Sequence, residues 1–297
     1  MSKPVIVVFA ATGKSGAGMV EAILKDGTFQ ARAITRNPES SSAKALAAKG
    51  VEIVKADLSD PATLAPAMEG AHGVFGVTDF WQAFMAEEQQ GKDMVDAAKQ
   101  AGIKHFVWTT LDYSDWHVPH FETKARVDDY LKASGLPRTS LYLSFFAENL
   151  YKSQMFPFKR GSDGKVRFTG PVKTDGPLPV IAASDIGYWA LAVFKNPDEW
   201  IGKDFKLCTE WITPRQIIKL VEETIGEPIY FDEVDEEKWK AVGEIKQLHE
   251  LFLNLDMFNK ADQATFREVE LSNKVHPNAK KVKDLIAAWG KDLVVSE

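Results

Sequence analysis

Residues Val5 to Leu24 read VIVVFAATGKSGAGMVEAIL: an apolar run, a turn studded with glycine, then a segment with helical spacing. A short run that is apolar at every position is the signature of a strand buried on both faces, as in a parallel sheet. Gly13, Gly16 and Gly18 fall between this strand and the helix. In a dinucleotide-binding turn such glycines allow a tight bend, close approach of backbone to a pyrophosphate, and close packing of helix on strand. The following helix presents free N–H groups and its positive dipole end to anionic phosphates. Ala10 stands where the first glycine of the usual fingerprint falls; a methyl costs little there provided φ is negative. The stretch Ala10, Thr12, Gly13, Lys14, Ser15 and Gly16 is therefore the expected phosphate cradle.

Outward from this turn the same rhythm repeats. ARAITR (31–36), VEIVKADL (51–58), GVFGVTDF (73–80), KHFVWTTL (104–111) and RTSLYLSFF (138–146) read as strands. Helical segments separate them: AKALAAKG, a stretch opened by Asp60-Pro61, EEQQGKDMVDAAKQAG and ETKARVDDYLKASG. Strands alternating with helices of this length predict an α/β fold with a Rossmann-type doubly wound parallel sheet. After Asn149 the alternation stops and glycine and proline crowd the chain, marking a loop-rich region. PVIAASDIGYWALAVFKNP then resumes with a helix capped by Ser184 or Asp185, and Thr213-Pro214 opens another. FKLCTE and PIYFDEV read as strands and VKDLIAAWGKDL as a helix. The expected organisation is a dinucleotide-binding domain over residues 1–150 and a smaller α+β C-terminal lobe over 151–297, partly interleaved with it. The lobe is expected at the C-terminal edge of the sheet, where open α/β sheets hold ligands.

Composition narrows the function classes. The 297-residue chain is 45% hydrophobic and 26% charged, an ordinary balance for a globular protein. Its net charge of −6 argues against a nucleic-acid footprint. No run reaches the roughly 18 apolar residues of a membrane span, and MSKP passes straight into a strand without a charged-then-apolar leader. With a single cysteine, Cys208, the expected setting is cytoplasmic, with the nucleus also open. The acidic stretch DEVDEE (232–237) reads as a solvated helix start.

The end of the second strand selects the cofactor. Asp or Glu there would take a ribose 2′-hydroxyl, whereas this chain has Thr35-Arg36-Asn37-Pro38. No carboxylate repels a 2′-phosphate, and Arg36 can pair with one, so NADP(H) is expected over NAD(H). Asp57, closing the third strand, either accepts from an adenine amino group or forms a turn.

The chain resembles the NmrA-like family of atypical short-chain dehydrogenase/reductases, related to isoflavone reductase-like and type 2 quinone oxidoreductase proteins. The resemblance rests on FAATGKSG, RAITRNP, KADLSD, GVFGVTDFW, EEQQGKDMVDAAKQAGIKHFVW, HFETKARVDDYL and SFFAENL, which cover about the first 150 residues in the family's order. It implies that Gly13, Lys14, Ser15 and Gly16 lie along the pyrophosphate, Arg36 and Asn37 at the 2′-phosphate, and Asp57 with Leu58 at the adenine. It places Thr78, Asp79 and Phe80 on the ribose side, Lys92 and Lys124 near the cofactor, and Phe146, Ala147, Glu148 and Asn149 at the nicotinamide end. Ala10 and Ala147 depart from the family's usual residues.

Chemistry is less determined. Conventional short-chain reductases carry Tyr-x-x-x-Lys on the helix after the fifth strand, the lysine lowering the phenol's pKa. Here that spacing holds His120-Phe121-Glu122-Thr123-Lys124, with Thr109 and Thr110 at the preceding strand end. Lys124, His120 and Thr110 are the candidate catalytic residues, with Tyr113 or an ordered water as other acids. Three readings stay open: a redox sensor acting on a regulatory protein partner, an NADPH-dependent reductase of a small aromatic, quinone or carbonyl substrate, and a scaffold without turnover. His117 and His120 lack a third ligand, so no metal is expected. Aromatics after the fourth, fifth and sixth strands (Phe80, Trp81, Phe84, Trp116, Phe121, Phe145, Phe146 and Tyr151) are expected to line a pocket. Either a monomer or a homodimer is compatible with the sequence.

Overall fold

The computed structural model describes residues 2–114, 118–152, 156–170, 172–233 and 246–296. Its main sheet begins with β1 (Val5–Val8), β2 (Gln30–Thr35), β3 (Glu52–Lys55) and β4 (Gly73–Gly76), and continues through β5 (His105–Thr110) and β6 (Arg138–Tyr142). Every one of these strands pairs in parallel with its neighbours. With β11 (Asp204–Lys206) the sheet runs β11-β6-β5-β4-β1-β2-β3. The chain thus builds outward from β1 through β2 and β3, then returns to β1's other side with β4. That reversal is a topological switch point, where ligands of such sheets bind.

Ile6, Val7, Val8, Val74, Phe75, Phe106, Val107 and Trp108 are fully buried, as continuous apolar strands covered on both faces must be. Their cover includes α1 (Lys14–Asp26), α2 (Ser41–Ala47), α3 (Leu64–Met68), α4 (Phe80–Ala83), α5 (Ala86–Gln100) and α6 (Pro119–Ala133). Helix α1 starts directly after Gly13 and stops at Gly27, whose φ of 77° ends the helix as a left-handed cap. Helix α6 starts at Pro119 rather than near Glu122, with proline suited to a first turn.

Two compact units emerge, and the chain crosses between them several times. The first holds residues 1–113, 120–143 and 183–205; the second holds the rest. The first unit recruits α7 (Ile186–Lys195) and α8 (Pro197–Trp200) from the C-terminal half. Close packing explains why α7 belongs there. A Cβ at Gly18 would overlap the Ser184 carbonyl, and one at Gly187 would overlap the backbone of Gly18 and Met19. Helices α1 and α7 therefore meet backbone to backbone. Asp185 is the N-cap of α7, as one of the two expected caps, though a short 3₁₀ turn precedes the helix and no side-chain cap bond forms.

The expected sixth strand, RTSLYLSFF, is two strands. Leu143 N–H still bonds the Thr110 carbonyl, but Phe145–Phe146 (β7) joins a different sheet in the second unit. There β7 pairs in parallel with β10 (Leu178–Ile181), which pairs antiparallel with β12 (Glu210–Ile212). A second sheet combines β8 (Phe158–Arg160), β9 (Val166–Gly170), β13 (Ile229–Glu233) and β14 (Val294–Ser296). Phe158, Phe168 and Phe231 stand opposite one another across three of its strands and stack at 4.7 and 5.6 Å. Helix α9 (Pro214–Ile225) opens with a Thr213 and Gln216 capping box, as Thr213-Pro214 foretold. Asp232 and Glu233 belong to β13, so the acidic stretch does not begin as a helix; its remainder, 234–237, lies outside the described residues. Among the described residues, no helix is long and apolar enough to cross a membrane.

The α1 and α7 contact generates a stability prediction. Gly187→Ala places a methyl where the α1 backbone already sits, and should destabilise the protein by about 3 kcal/mol through overpacking. Urea denaturation measures this directly. A loss below roughly 0.5 kcal/mol, the range of a neutral surface change, would mean the helices do not need this approach.

Candidate functional site

A cleft of about 550 Å³ opens in the first unit at the carboxyl ends of β1, β2 and β3 and beside the segment leaving β4. Its floor is the turn after β1, where Phe9, Ala10, Thr12 and Gly13 line it. One side carries Thr35, Arg36, Asn37, Ser40 and Ser42; another carries Ala56, Asp57, Leu58 and Ser59. Val77, Asp79, Gln82, Ala83 and Gln90 complete the wall. The expected Ala10, Thr12, Gly13, Arg36, Asn37, Asp57, Leu58 and Asp79 thus converge on one space.

The turn differs from expectation in one respect. Ala10 adopts φ of 49°, the left-handed region, rather than a negative φ. The Ala10 carbonyl must accept from Gly13 N–H at 2.8 Å while Gly16 packs beneath it, and a Cβ on Gly16 would overlap that same carbonyl. The tight bend therefore imposes left-handed backbone on a residue that carries a Cβ. Gly13 is the N-cap of α1 and makes no side-chain cap bond, so no cap side chain occupies the first turn of α1. Lys14, Ser15 and Gly16 form that first turn behind the cleft's lining residues.

Beyond the turn, side chains hold one another in place. Arg36 donates from Nη2 to Gln82 Oε1 at 3.0 Å. Gln82 Nε2 donates in turn to Asp79 Oδ2 at 2.8 Å, and Asp79 Oδ1 caps α4 by accepting from Trp81 N–H. Asn37 Oδ1 accepts from Glu39 N–H, and Asp57 Oδ1 accepts from Ser59 N–H at 2.9 Å. Asp57 therefore makes the turn foreseen as an alternative, and it also faces the cleft.

Lys124 is placed differently from a free acid. Its Nζ pairs with Glu87 Oε1 and also donates to the Thr78 carbonyl at 3.2 Å and Thr78 Oγ1 at 3.1 Å. An ammonium has three protons, and these three oxygens can accept them. Glu87 is fully buried, and its other oxygen accepts from Thr123 Oγ1 at 2.5 Å. Thr110 Oγ1 donates to the Lys124 carbonyl at 3.1 Å, so its hydroxyl proton braces α6. His120 is buried in an aromatic cluster, its ring 5.6 Å from Trp81, 5.9 Å from Phe80 and 4.9 Å from Phe121. Phe80 also meets Trp81 and Phe84 edge-on. Tyr113, half exposed, donates to Asp129 Oδ2, and partial desolvation with that neighbouring carboxylate raises its phenol's pKa.

Lys92 does not line the cleft. It lies about 200° around α5 from the cleft residue Gln90, pairs with Glu88 at 2.6 Å, and sits over the Tyr130 ring. Phe146 belongs to β7 and Ala147, Glu148 and Asn149 to the 3₁₀ turn after it, all in the second unit. There Phe145 packs on Phe156 at 5.4 Å and Tyr151 stacks on Trp289 at 5.2 Å. Trp116 and His117 lie outside the described residues.

The sequence reading missed two residues. Glu87 heads the buried stripe Glu87, Gly91, Met94, Val95 and Ala98 on α5, and a carboxylate in such a stripe calls for a buried cation. Gln82 carries no comparable signal, since its partner Arg36 lies 46 residues away.

Fold and cleft together define a class: a doubly wound parallel sheet with a ligand cleft at its switch point. The chain belongs to the NmrA-like family, whose profile matches residues 2–288. The NmrA-like family domain-containing oxidoreductase hkm9 of Aspergillus hancockii is 28% identical over 258 residues, 80% of this chain and 76% of that protein. The corresponding oxidoreductase notA' of Aspergillus versicolor is 31% identical over 223 residues, 67% of this chain and 62% of that one. Among solved structures, the negative transcriptional regulator Nmra in complex with NADP superposes with a TM-score of 0.82 at 23% identity, covering 97% and 95% of the two chains. The NADPH-dependent quinone oxidoreductase QOR2 of Escherichia coli, complexed with NADPH, gives 0.76 at 21% identity, covering 96% and 99%. These two structures match this chain in fold.

Two predictions follow from the geometry. The Ala10 methyl is exposed, so Ala10→Gly should stabilise the protein by roughly 0.5 kcal/mol, relief of about 1 kcal/mol of left-handed strain outweighing the added freedom of the unfolded chain. A measured loss in urea denaturation would show that the methyl is packed after all. Lys124→Met leaves Glu87 buried without its cation and should cost about 3–5 kcal/mol, whereas Glu87→Gln combined with Lys124→Met should recover most of that. Equal losses in the single and double variants would refute the pairing.

Proposed function

We propose that the first unit binds NADP(H) in this cleft and that the protein is an NADPH-dependent reductase of a small aromatic, quinone or carbonyl acceptor. One observation carries the reading: Arg36 is the cationic side chain lining the cleft, beside Thr35, Ser40 and Ser42, at the end of β2. A 2′-phosphate is an anion that a guanidinium and hydroxyls bind well, and a carboxylate at this strand end would repel it. The first turn of α1, free of a side-chain cap, suits a pyrophosphate. Asp57 and Leu58 suit the adenine, and Thr78, Asp79 and Phe80 the ribose side. Curated relatives named as oxidoreductases support turnover, and the neighbouring structures bound to NADP and NADPH support the cofactor.

Bound here, the cofactor supplies a hydride. What the chain's own residues contribute is position. Lys124 fixes Thr78 against α5 and α6 with its protons already directed, and His120 packs among aromatic rings. Neither is arranged as the phenol of a Tyr-x-x-x-Lys pair would be. The acceptor that suits such a site takes its proton from water, which favours a quinone over a simple ketone. The same arrangement supports a second reading, in which the protein binds NADP(H) without turnover and acts on a regulatory protein partner. A cytoplasmic setting, open to the nucleus, belongs to both readings.

Arg36→Ala should lower NADPH affinity by on the order of tenfold to a hundredfold while leaving NADH affinity near its starting value. Titration calorimetry with both nucleotides checks this, and equal losses for the two would sink the 2′-phosphate assignment. NADPH oxidation should proceed with quinones ahead of aryl ketones, enones and imines, and should survive in the Glu87→Gln, Lys124→Met pair. Tight binding with no oxidation across the panel would select the regulator.

A further inference from the structure

Arg36 follows β2 and Gln82 lies on α4, after β4, while β1 runs between those two strands. The hydrogen bond between them therefore joins the loops that leave the strands on either side of β1, whose own exit turn is the floor of the cleft. The orientation of the Gln82 amide is fixed by its partners. A guanidinium only donates and a carboxylate only accepts, so Oε1 must face Arg36 and Nε2 must face Asp79. Asp79 is itself held as the cap of α4. The result is a relay, Asp79 to Gln82 to Arg36, in which a neutral amide separates the carboxylate from the cation.

That separation has a chemical consequence. A carboxylate bonded directly to Arg36 would immobilise the guanidinium and also cancel its charge. An amide immobilises it and leaves the full positive charge for a ligand. Arg36 is otherwise an exposed side chain at a strand end, and a long flexible cation held in advance loses less freedom when it binds.

We infer that Gln82 is a positioning residue for cofactor choice: it holds Arg36, uncancelled, for the 2′-phosphate of the dinucleotide. This rests on the reading that Arg36 meets that phosphate. It adds a determinant on the opposite side of β1 from the strand end that ordinarily decides between the two nicotinamide cofactors. It also implies that an acid at position 82 would act against NADP(H) as an acid at the end of β2 does.

The test is a set of dissociation constants for NADPH, NADH and 2′,5′-ADP in the full-length protein and in Gln82→Ala, Gln82→Glu and Arg36→Ala. Gln82 is exposed at the cleft rim, so these changes leave the core untouched, and thermal denaturation of each variant verifies it. Gln82→Glu should lower the preference for NADPH over NADH by roughly tenfold or more, because the new carboxylate cancels Arg36 and repels the phosphate. Gln82→Ala should lower it less, by about threefold, through lost positioning alone. 2′,5′-ADP should weaken in parallel, since it carries the phosphate without the nicotinamide. If both Gln82 variants keep the parent preference while Arg36→Ala loses it, the inference fails and the Arg36 assignment stands. If Arg36→Ala also keeps it, the cofactor assignment fails first and the role of Gln82 with it.

Discussion

The Ala10 carbonyl meets two demands within a few residues: it accepts the Gly13 N–H, and it faces the backbone of Gly16 at a separation that excludes a side chain. Strand β1 can hand the chain to α1 in so few residues only because of this. The same approach sets the direction of α1, which starts at the switch point of the sheet. Farther along α1, Gly18 meets Ser184, and Gly187 meets α1 from the other side. A helix seated this closely on strand and helix alike has little room to shift. The left-handed Ala10 is the local strain that such a seat imposes when the residue is not glycine.

The Lys124 and Glu87 pair is a second anchor with a different character. Burying two opposite charges is costly unless each also finds hydrogen-bond partners, and here Thr78 and Thr123 supply them. The pair ties α5, α6 and the exit of β4 at one point. A lysine that conventional short-chain reductases use beside a tyrosine is thereby a clamp in this chain. Its neighbour four residues earlier, His120, packs against Phe80 and Phe121. Loss of the tyrosine and capture of the lysine are consistent with each other: without a phenol to tune, the ammonium is best stabilised by a carboxylate.

Much of this was legible in the amino-acid sequence, for a physical reason. Parallel strands buried on both faces must be apolar throughout, so VIVVFA and HFVWTT declare themselves without knowledge of their neighbours. The glycine turn is legible because only glycine satisfies its contacts. The split of RTSLYLSFF was not, since no glycine or proline interrupts the run; what separates its two parts is a distant partner, Phe145 and Phe146 pairing with β10. The φ of Ala10 stayed a condition in the sequence, because fitting Gly16 beneath the turn, and not residue 10 itself, sets that angle. Lys92 was named on motif resemblance, which carries no helical phase; two residues on from the cleft residue Gln90, it falls on another side of α5.

Gln82 marks the limit of local reading most clearly. Its type, an exposed glutamine on a single-turn helix, is uninformative, and it stands between Trp81 and Ala83. It acquires meaning only when the sheet order places β1 between β2 and β4, bringing Arg36 within reach. Charge then decides why glutamine rather than an acid suits the position: the cleft needs a cation that is fixed but not neutralised. The carboxylate that does the fixing stands three residues further back, at Asp79, where it also serves the dipole of α4. Separating restraint from neutralisation in this way is what allows one arginine at a strand end to remain both ordered and available.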